Sequence, residues 1–204
     1  MEQEKSVVSH YFKGGLTMFL RKGYERTNLR ELCKGAGITT GAYYRHFPDK
    51  ASLFATLVEP AVKGIHEMYS NSEAQCFDFI KAKNIKELFN VSDDTVREFI
   101  SFIYDNFDCF KLLLQCSDGT PYSSFANDMV ELEVQSSLEM IRIMQENGIE
   151  VQSLRESEFH LLNHAYFACI FESVIHDYTL EEALQHSHLL VEFFTAGWQK
   201  VLGL

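Results

Sequence analysis

The stretch Thr39-Thr40-Gly41-Ala42-Tyr43-Tyr44-Arg45-His46-Phe47-Pro48-Asp49-Lys50 brings hydroxyls, aromatic rings, an arginine, a histidine and a lysine together without a carboxylate–histidine or nucleophile–base pair. That is poor chemistry for a catalytic pocket. It suits a short helix held against a phosphate backbone. A hydroxyl at the start of a helix, beside backbone N–H groups that have no intrahelical partner, can meet a phosphate oxygen or a base edge. Small residues such as Gly41 and Ala42 let that surface come close. His160 and His164 are the other pair with suggestive spacing, four apart on one helix face. No H-E-x-x-H pattern surrounds them, so neither a metal nor a catalytic role is expected, and the chain is read as a non-enzyme without a cofactor.

The elements around the first stretch explain how it would be held. Thr39 is a helix cap, and Phe47 closes the helix because a residue before proline avoids the helical region. Asp49 then caps a further helix from Lys50. Upstream, Val8, Phe12, Leu16 and Phe19 recur at helical spacing, predicting a helix over about 5–22 that Gly23 ends. Gly14-Gly15 inside it implies either local weakness or close approach of another backbone. Asn28-Leu29-Arg30-Glu31 reads as a capping box for a second helix with Leu29, Leu32 and Cys33 on its buried face. Gly35-Ala36-Gly37-Ile38 turns the chain into the third. Three helices in about fifty residues, with a four-residue turn between the last two, make a helix-turn-helix.

Phe19-x-x-x-Gly23, Thr27-Asn28, Leu32-Cys33-x-x-Ala36-Gly37-Ile38-Thr39-x-Gly41, Tyr44-x-His46-Phe47 and Lys50-x-x-Leu53 together resemble the DNA-binding domain of the tetracycline-repressor (TetR) family. The resemblance covers about residues 5–55. Cys33 stands where a small alanine is usual, Tyr43 where an aliphatic residue is more common, and Gly14-Gly15 departs from the first helix. The resemblance implies that helix 3 enters the major groove. It also implies that Asn28, Arg30, Thr39, Thr40, Ala42, Tyr43, Tyr44, His46 and Lys50 form the DNA-binding surface. Tyr44, His46 and Lys50 would meet phosphates, Tyr43 a thymine methyl or a sugar, and Asn28 and Arg30 the flanking backbone.

Charge supports two jobs in one chain. The net charge is −11, yet residues 1–51 carry nine Lys/Arg against five Asp/Glu, net +4, leaving −15 on the remainder. Hydrophobic residues make up 46% with 17 Phe and only three prolines, which predicts a helical protein with a sizeable core. The five cysteines form no C-x-x-C pair and read as reduced, packed thiols. With no apolar run long enough to span a bilayer and a charged, polar start, a cytoplasmic protein without membrane contact is expected.

The rest of the chain reads as long helices. One leaves Lys50 and reaches about residue 69. A second begins at Ser92-Asp93-Asp94 and carries Val96, Phe99, Ile100, Ile103, Phe107 and Phe110 to a break at Asp118-Gly119-Thr120-Pro121. A third spans about 123–147. Ser153-Leu154-Arg155-Glu156 and Thr179-Leu180-Glu181-Glu182 read as capping boxes for helices over about 154–177 and 180–202. The expectation is an all-α fold of about nine helices. Residues 1–49 would be the DNA-binding domain, joined by a long helix 4 to a ligand-binding and dimerisation domain over 50–204.

One short recognition helix covers few base pairs, so a homodimer on a palindromic operator of double-stranded DNA is expected. The helix over 154–177 is apolar on nearly all sides and must be buried on all of them, partly by a second subunit. Tyr166, Ile170, Val174, Val191, Phe194 and Trp198 are the candidate dimer residues. Polar side chains in that apolar helix suggest a pocket for a small-molecule inducer, lined by Tyr104, Phe107, Phe110, Met144, His160, His164 and Phe167. The resulting reading is a repressor released by a small, mostly apolar ligand. Alternatives are a similar DNA binder controlled by a protein partner, or a helical enzyme using His160 and His164.

Overall fold

The computed structural model describes the backbone of residues 2–204 and the side chains of residues 11–85 and 94–204; Val8, placed above on the first helix's apolar stripe, lies outside those side chains. Among the described residues there are nine helices and no strand, so the protein is all-α. The helices are α1 (Glu2–Lys22), α2 (Leu29–Gly35), α3 (Thr40–Tyr43), α4 (Lys50–Lys81), α5 (Ile85–Asp105), α6 (Phe107–Gln115), α7 (Phe125–Glu146), α8 (Glu156–Ile175) and α9 (Leu180–Leu202).

The chain forms two compact units. One holds the residues up to Lys63 together with Asn106–Phe125; the other holds Gly64–Asp105 and Ala126–Leu204. These units do not coincide with a division at 49/50, because the first turns of α4 and the whole of α6 pack with the N-terminal helices. The reason is on α1. A Cβ at Gly14 would lie 2.6 Å from Ala36 Cβ, and one at Gly15 would lie 2.9 Å from Leu53 Cδ2. The glycine pair therefore marks close approach: α1 is pressed against the helix-turn-helix turn by one glycine and against α4 by the next. α6 and the segment after it join the same unit, with the Tyr24 N–H donating to the Cys116 carbonyl at 2.9 Å and the Cys109 thiol to the Leu57 carbonyl at 3.3 Å.

Rings fill the middle of this unit. Tyr11, Tyr43 and Phe47 meet pairwise at 5.6–5.8 Å, and Phe19, Tyr24 and Phe54 form a second cluster. Offset and edge-on contacts of this kind add to the free energy of simple burial. Leu32 and Cys33 of α2 are buried beside them, so Cys33 serves as a small apolar core residue.

In the other unit α9 packs on α5 and α8. Ile80, Ile143 and Met144 anchor one apolar cluster, and Val96, Ile100 and Ala183 another, the latter covered by Tyr104, Tyr166, Leu184 and Val191. Gly64 of α4 lets Phe102 of α5 close in: a Cβ there would run into the ring.

Several caps match the sequence. The Ala42 N–H donates to Thr39 Oγ1, the Ser52 N–H to Asp49 Oδ1, and Thr179 and Glu182 bond reciprocally. Others differ. Asn28 Oδ1 accepts from the Arg30 N–H, but Glu31 turns to Lys22 at 2.6 Å instead of closing a capping box. The box expected at Ser153 and Glu156 sits two residues later, where the Glu158 carboxylate accepts from the Arg155 N–H. α4 continues to Lys81, a single helix of 32 residues, although Pro60 lies inside it. Pro60 and Thr56, whose carbonyl loses its helical donor, are both exposed, so solvent can satisfy that group. α5 starts at Ile85, seven residues ahead of Ser92. The single helix expected through Phe110 is cut at Asn106 (φ −121°, ψ 30°), whose carbonyl accepts from the Cys109 and Phe110 N–H groups to begin α6.

Candidate nucleic-acid interface

α3 is only four residues long, and its capping hydroxyl fixes where it starts. A helix that short has no stability of its own; the ring cluster beneath it supplies the anchor. Tyr43 is that anchor. It is fully buried, and its hydroxyl donates to the Asp49 carbonyl at 2.8 Å, tying the end of α3 to the start of α4. Burial pushes its phenol pKa well up. Tyr43 is therefore corrected from a DNA-contact residue to a core residue, because no partner can reach it.

The opposite side of α3 is open. Thr39, Thr40, Gly41, Tyr44, Arg45 and His46 are exposed, and Tyr44 keeps 58% of its surface. The His46 ring rests 5.3 Å from Tyr11, which limits its freedom without covering it. Ala42 is half-buried. Gly41 is informative because a Cβ there would meet nothing within 4 Å. The fold does not need a glycine at that position. Asn28 and Arg30 are exposed at the start of α2, beside exposed Arg26 and Lys34.

Lys50 is the second correction. Its ammonium donates to the carbonyls of Tyr24 at 2.6 Å and Thr27 at 3.0 Å and lies 4.0 Å from the Tyr24 ring. Burial lowers its pKa. The side chain staples the 24–27 turn to α4 and is not directed at a phosphate. Arg45 offers the exposed cation that Lys50 does not; its place two residues past the anchor Tyr43 was the available signal.

The residues expected to line a ligand pocket are divided between the two units. Phe107 and Phe110 belong to the N-terminal unit, where Phe110 is buried edge-on against Phe125. In the other unit Met144 packs with Ile80 and Ile143, Tyr104 donates to the Tyr178 carbonyl at 2.8 Å, and Phe167 stacks on Phe171. His160 and His164 are exposed, their rings 6.3 Å apart, and His160 faces Glu131 at 3.9 Å. Among the described residues no three His, Cys, Asp or Glu side chains converge as metal ligands. Asn163, polar within the apolar helix, is satisfied by Ser137 Oγ at 3.3 Å.

Of the six residues expected at a dimer interface, two are buried and four are half-buried. Ile170 and Val174 are buried within their own unit, Val191 covers the Val96 cluster, Trp198 stacks on Phe159 and Phe194 meets Tyr166 edge-on. What faces out is Leu161 at 68% exposure, Leu189 at 64% and Phe193 at 71%, with Val201 and Leu204. Small residues Ala165, Ala196 and Gly197 are exposed along the same two helices. The sequence signal was there, since α8 is apolar all round. Which side faces in is decided by contacts made elsewhere. No described helix is long and apolar enough to cross a membrane.

Residues 12–57 match the family model for bacterial regulatory proteins of the tetR family. The HTH-type transcriptional regulator AcrR of Shigella flexneri is 32% identical over 74 residues, covering 36% of this chain and 34% of that protein. The HTH-type regulator YuxN of Bacillus subtilis is 26% identical over 141 residues, covering 68% of this chain and 43% of its own length. The chain thus spans less than half the length of the curated relatives it matches. Among solved structures, a TetR family regulator from Chloroflexus aurantiacus aligns with a TM-score of 0.62 at 14% identity, over 97% of this chain and 94% of that one. NalD of Pseudomonas aeruginosa aligns at 0.56 and 17%, over 99% and 98%. These likenesses establish the shared fold.

Proposed function

We propose that this chain, whose residues 12–57 match the family model for bacterial regulatory proteins of the tetR family, is a DNA-binding transcriptional repressor. It acts as a homodimer on a palindromic operator and leaves the DNA when a small, mostly apolar ligand binds its larger unit. The observation that carries the reading is the division of labour on and around α3. Tyr43 and Phe47 are locked in the core, while Thr39, Thr40, Gly41, Tyr44, Arg45 and His46 form an exposed, polar and cationic row on the other side. The hydroxyls and backbone N–H groups suit phosphate and base edges, and Arg45 adds the sequence-independent attraction that any duplex rewards. The net +4 of residues 1–51 supports the same reading.

Two copies would pair through the outward faces of α8 and α9, with Leu161, Leu189 and Phe193 as apolar anchors and Ala165, Ala196 and Gly197 permitting close approach. Ligand control requires an element that both events bias. α4 runs unbroken from Lys50, beside α3, to Lys81 in the larger unit. α6 is a second handle, since it packs on α1 and grips the 24–27 turn through Cys116.

The test is a salt titration of binding to palindromic duplexes selected from random sequence. Specific binding that weakens steeply with salt is expected, and Tyr44→Ala should weaken it about tenfold or more, in keeping with 1–3 kcal/mol for a buried contact in a protein–DNA interface. No preference for any duplex over random DNA would overturn the regulator reading.

A further inference from the structure

Tyr11 of α1 is fully buried, its ring 5.8 Å from that of Tyr43 and 5.7 Å from that of Phe47. The two phenols fare differently. The Tyr43 hydroxyl donates to the Asp49 carbonyl, whereas the Tyr11 hydroxyl is shut off from solvent and has no hydrogen-bond partner among the described residues. Buried hydroxyls are nearly always partnered, and one left without a partner carries a cost that a phenylalanine would avoid. On its other side Tyr11 supports His46. The exposed imidazole rests against it, ring centres 5.3 Å apart and planes tilted by 51°. Burial pushes the Tyr11 phenol pKa up, with Cys33 of α2 adding to the rise and Arg45 opposing it. The hydroxyl thus sits where α1, α2 and the turn that closes α3 come together.

We propose that Tyr11 is a positioning residue for DNA recognition: with α3 on the duplex, its hydroxyl donates to one ring nitrogen of His46, and the other nitrogen presents its N–H to a phosphate oxygen. This rests on reading the exposed side of α3 as the DNA-binding surface. The two nitrogens of an imidazole are distinct, and the bond made by one decides which tautomer the other offers. An exposed histidine samples both tautomers and several ring orientations, and gives up that freedom to hold a phosphate. A phenol clamped between Tyr43 and Phe47 makes the choice for it.

The Tyr11–His46 bond is absent from the free chain and present on DNA. Only such a difference between the two states changes affinity, so this hydroxyl strengthens binding and adds nothing to folding. Its neighbour Tyr43 is the reverse case, a hydroxyl whose bond is made within the free chain.

Tyr11→Phe tests this with and without DNA. In denaturant unfolding of the free protein the variant should keep the wild-type midpoint or exceed it, because it deletes a hydroxyl that has no partner. On the palindromic duplex selected for the wild type it should bind about three- to tenfold more weakly, the range for one hydrogen bond. His46→Ala should weaken binding by itself, and Tyr11→Phe added to it should cost less than about twofold more. Imidazole nitrogen NMR spectra of the wild-type complex at pH 8 should show one fixed His46 tautomer, and tautomer exchange in Tyr11→Phe. A lowered unfolding midpoint would mean that the hydroxyl is already partnered in the free protein, and would overturn the role. So would an unchanged duplex affinity, or a full loss retained in the His46→Ala background, which would hand the hydroxyl to another group such as Arg45. A wild type that prefers no duplex overturns the operator reading and this role together; a wild type that binds no better than Tyr11→Phe overturns this role alone.

Discussion

At the scale of single residues, exposure decides role more than residue type does. Tyr43 and Tyr44 are adjacent tyrosines with opposite fates. One is a fully buried anchor bonded to the Asp49 carbonyl; the other stands out from the exposed side of α3. Lys50 shows the same for charge. A lysine opening a helix next to a basic segment looks like a phosphate contact, but its ammonium satisfies the Tyr24 and Thr27 carbonyls. Lys50→Met should therefore lower stability by about 1–3 kcal/mol, the range for losing charge-assisted hydrogen bonds to part-buried carbonyls. Denaturant unfolding checks this. The salt dependence of DNA binding by the folded variant should keep its wild-type slope, which a lost phosphate contact would reduce.

At the scale of elements, the helix-turn-helix is a packing device around two kinds of glycine. Gly14 is required by contact: Ala36 backbone and Cβ occupy the space its own Cβ would need. Gly37, with φ +69°, is required by conformation. Gly41 is required by neither. A paired substitution separates these reasons. Gly14→Ala should cost about 1–3 kcal/mol through overpacking, measured by thermal or denaturant unfolding, and should weaken DNA binding in proportion to the protein unfolded. Gly41→Leu should leave stability within about 0.5 kcal/mol or raise it, because leucine favours helix over glycine, while DNA binding falls at least tenfold. Helix boundaries were less legible. The sequence pattern places the end of α4 near residue 69, yet Tyr69, Cys76 and Ile80 meet partners distant in sequence, and those contacts carry the helix to Lys81.

At the scale of the whole molecule, the outward apolar residues of α8 and α9 are the chief argument for pairing. Phe193, Leu189 and Leu161 are large and mostly exposed, and such clusters on a folded chain mark interaction surfaces. Phe193→Asp combined with Leu189→Asp should shift the solution mass by light scattering from two chains to one, with the fold kept, because neither side chain serves the core. DNA affinity should fall with it, since one recognition helix then reads one half-site alone. A wild-type mass of one chain would contradict the pairing.

The sequence by itself determined the local and periodic features. It specified the helical class, the caps at Thr39, Asp49 and Thr179, the small-residue turn before α3, and the family model that residues 12–57 match. Each depends on residues a few positions apart, so hydrogen bonding and helical periodicity are enough to reveal them. Tertiary structure alone decided which side of each apolar or amphipathic element faces in. It buried Tyr43 and freed Tyr44, turned Ile170 and Val174 inward and Phe193 outward, and set Tyr69 and Glu133, 64 positions apart, within hydrogen-bond distance. Those outcomes depend on contacts between distant segments, which periodicity along one helix cannot specify.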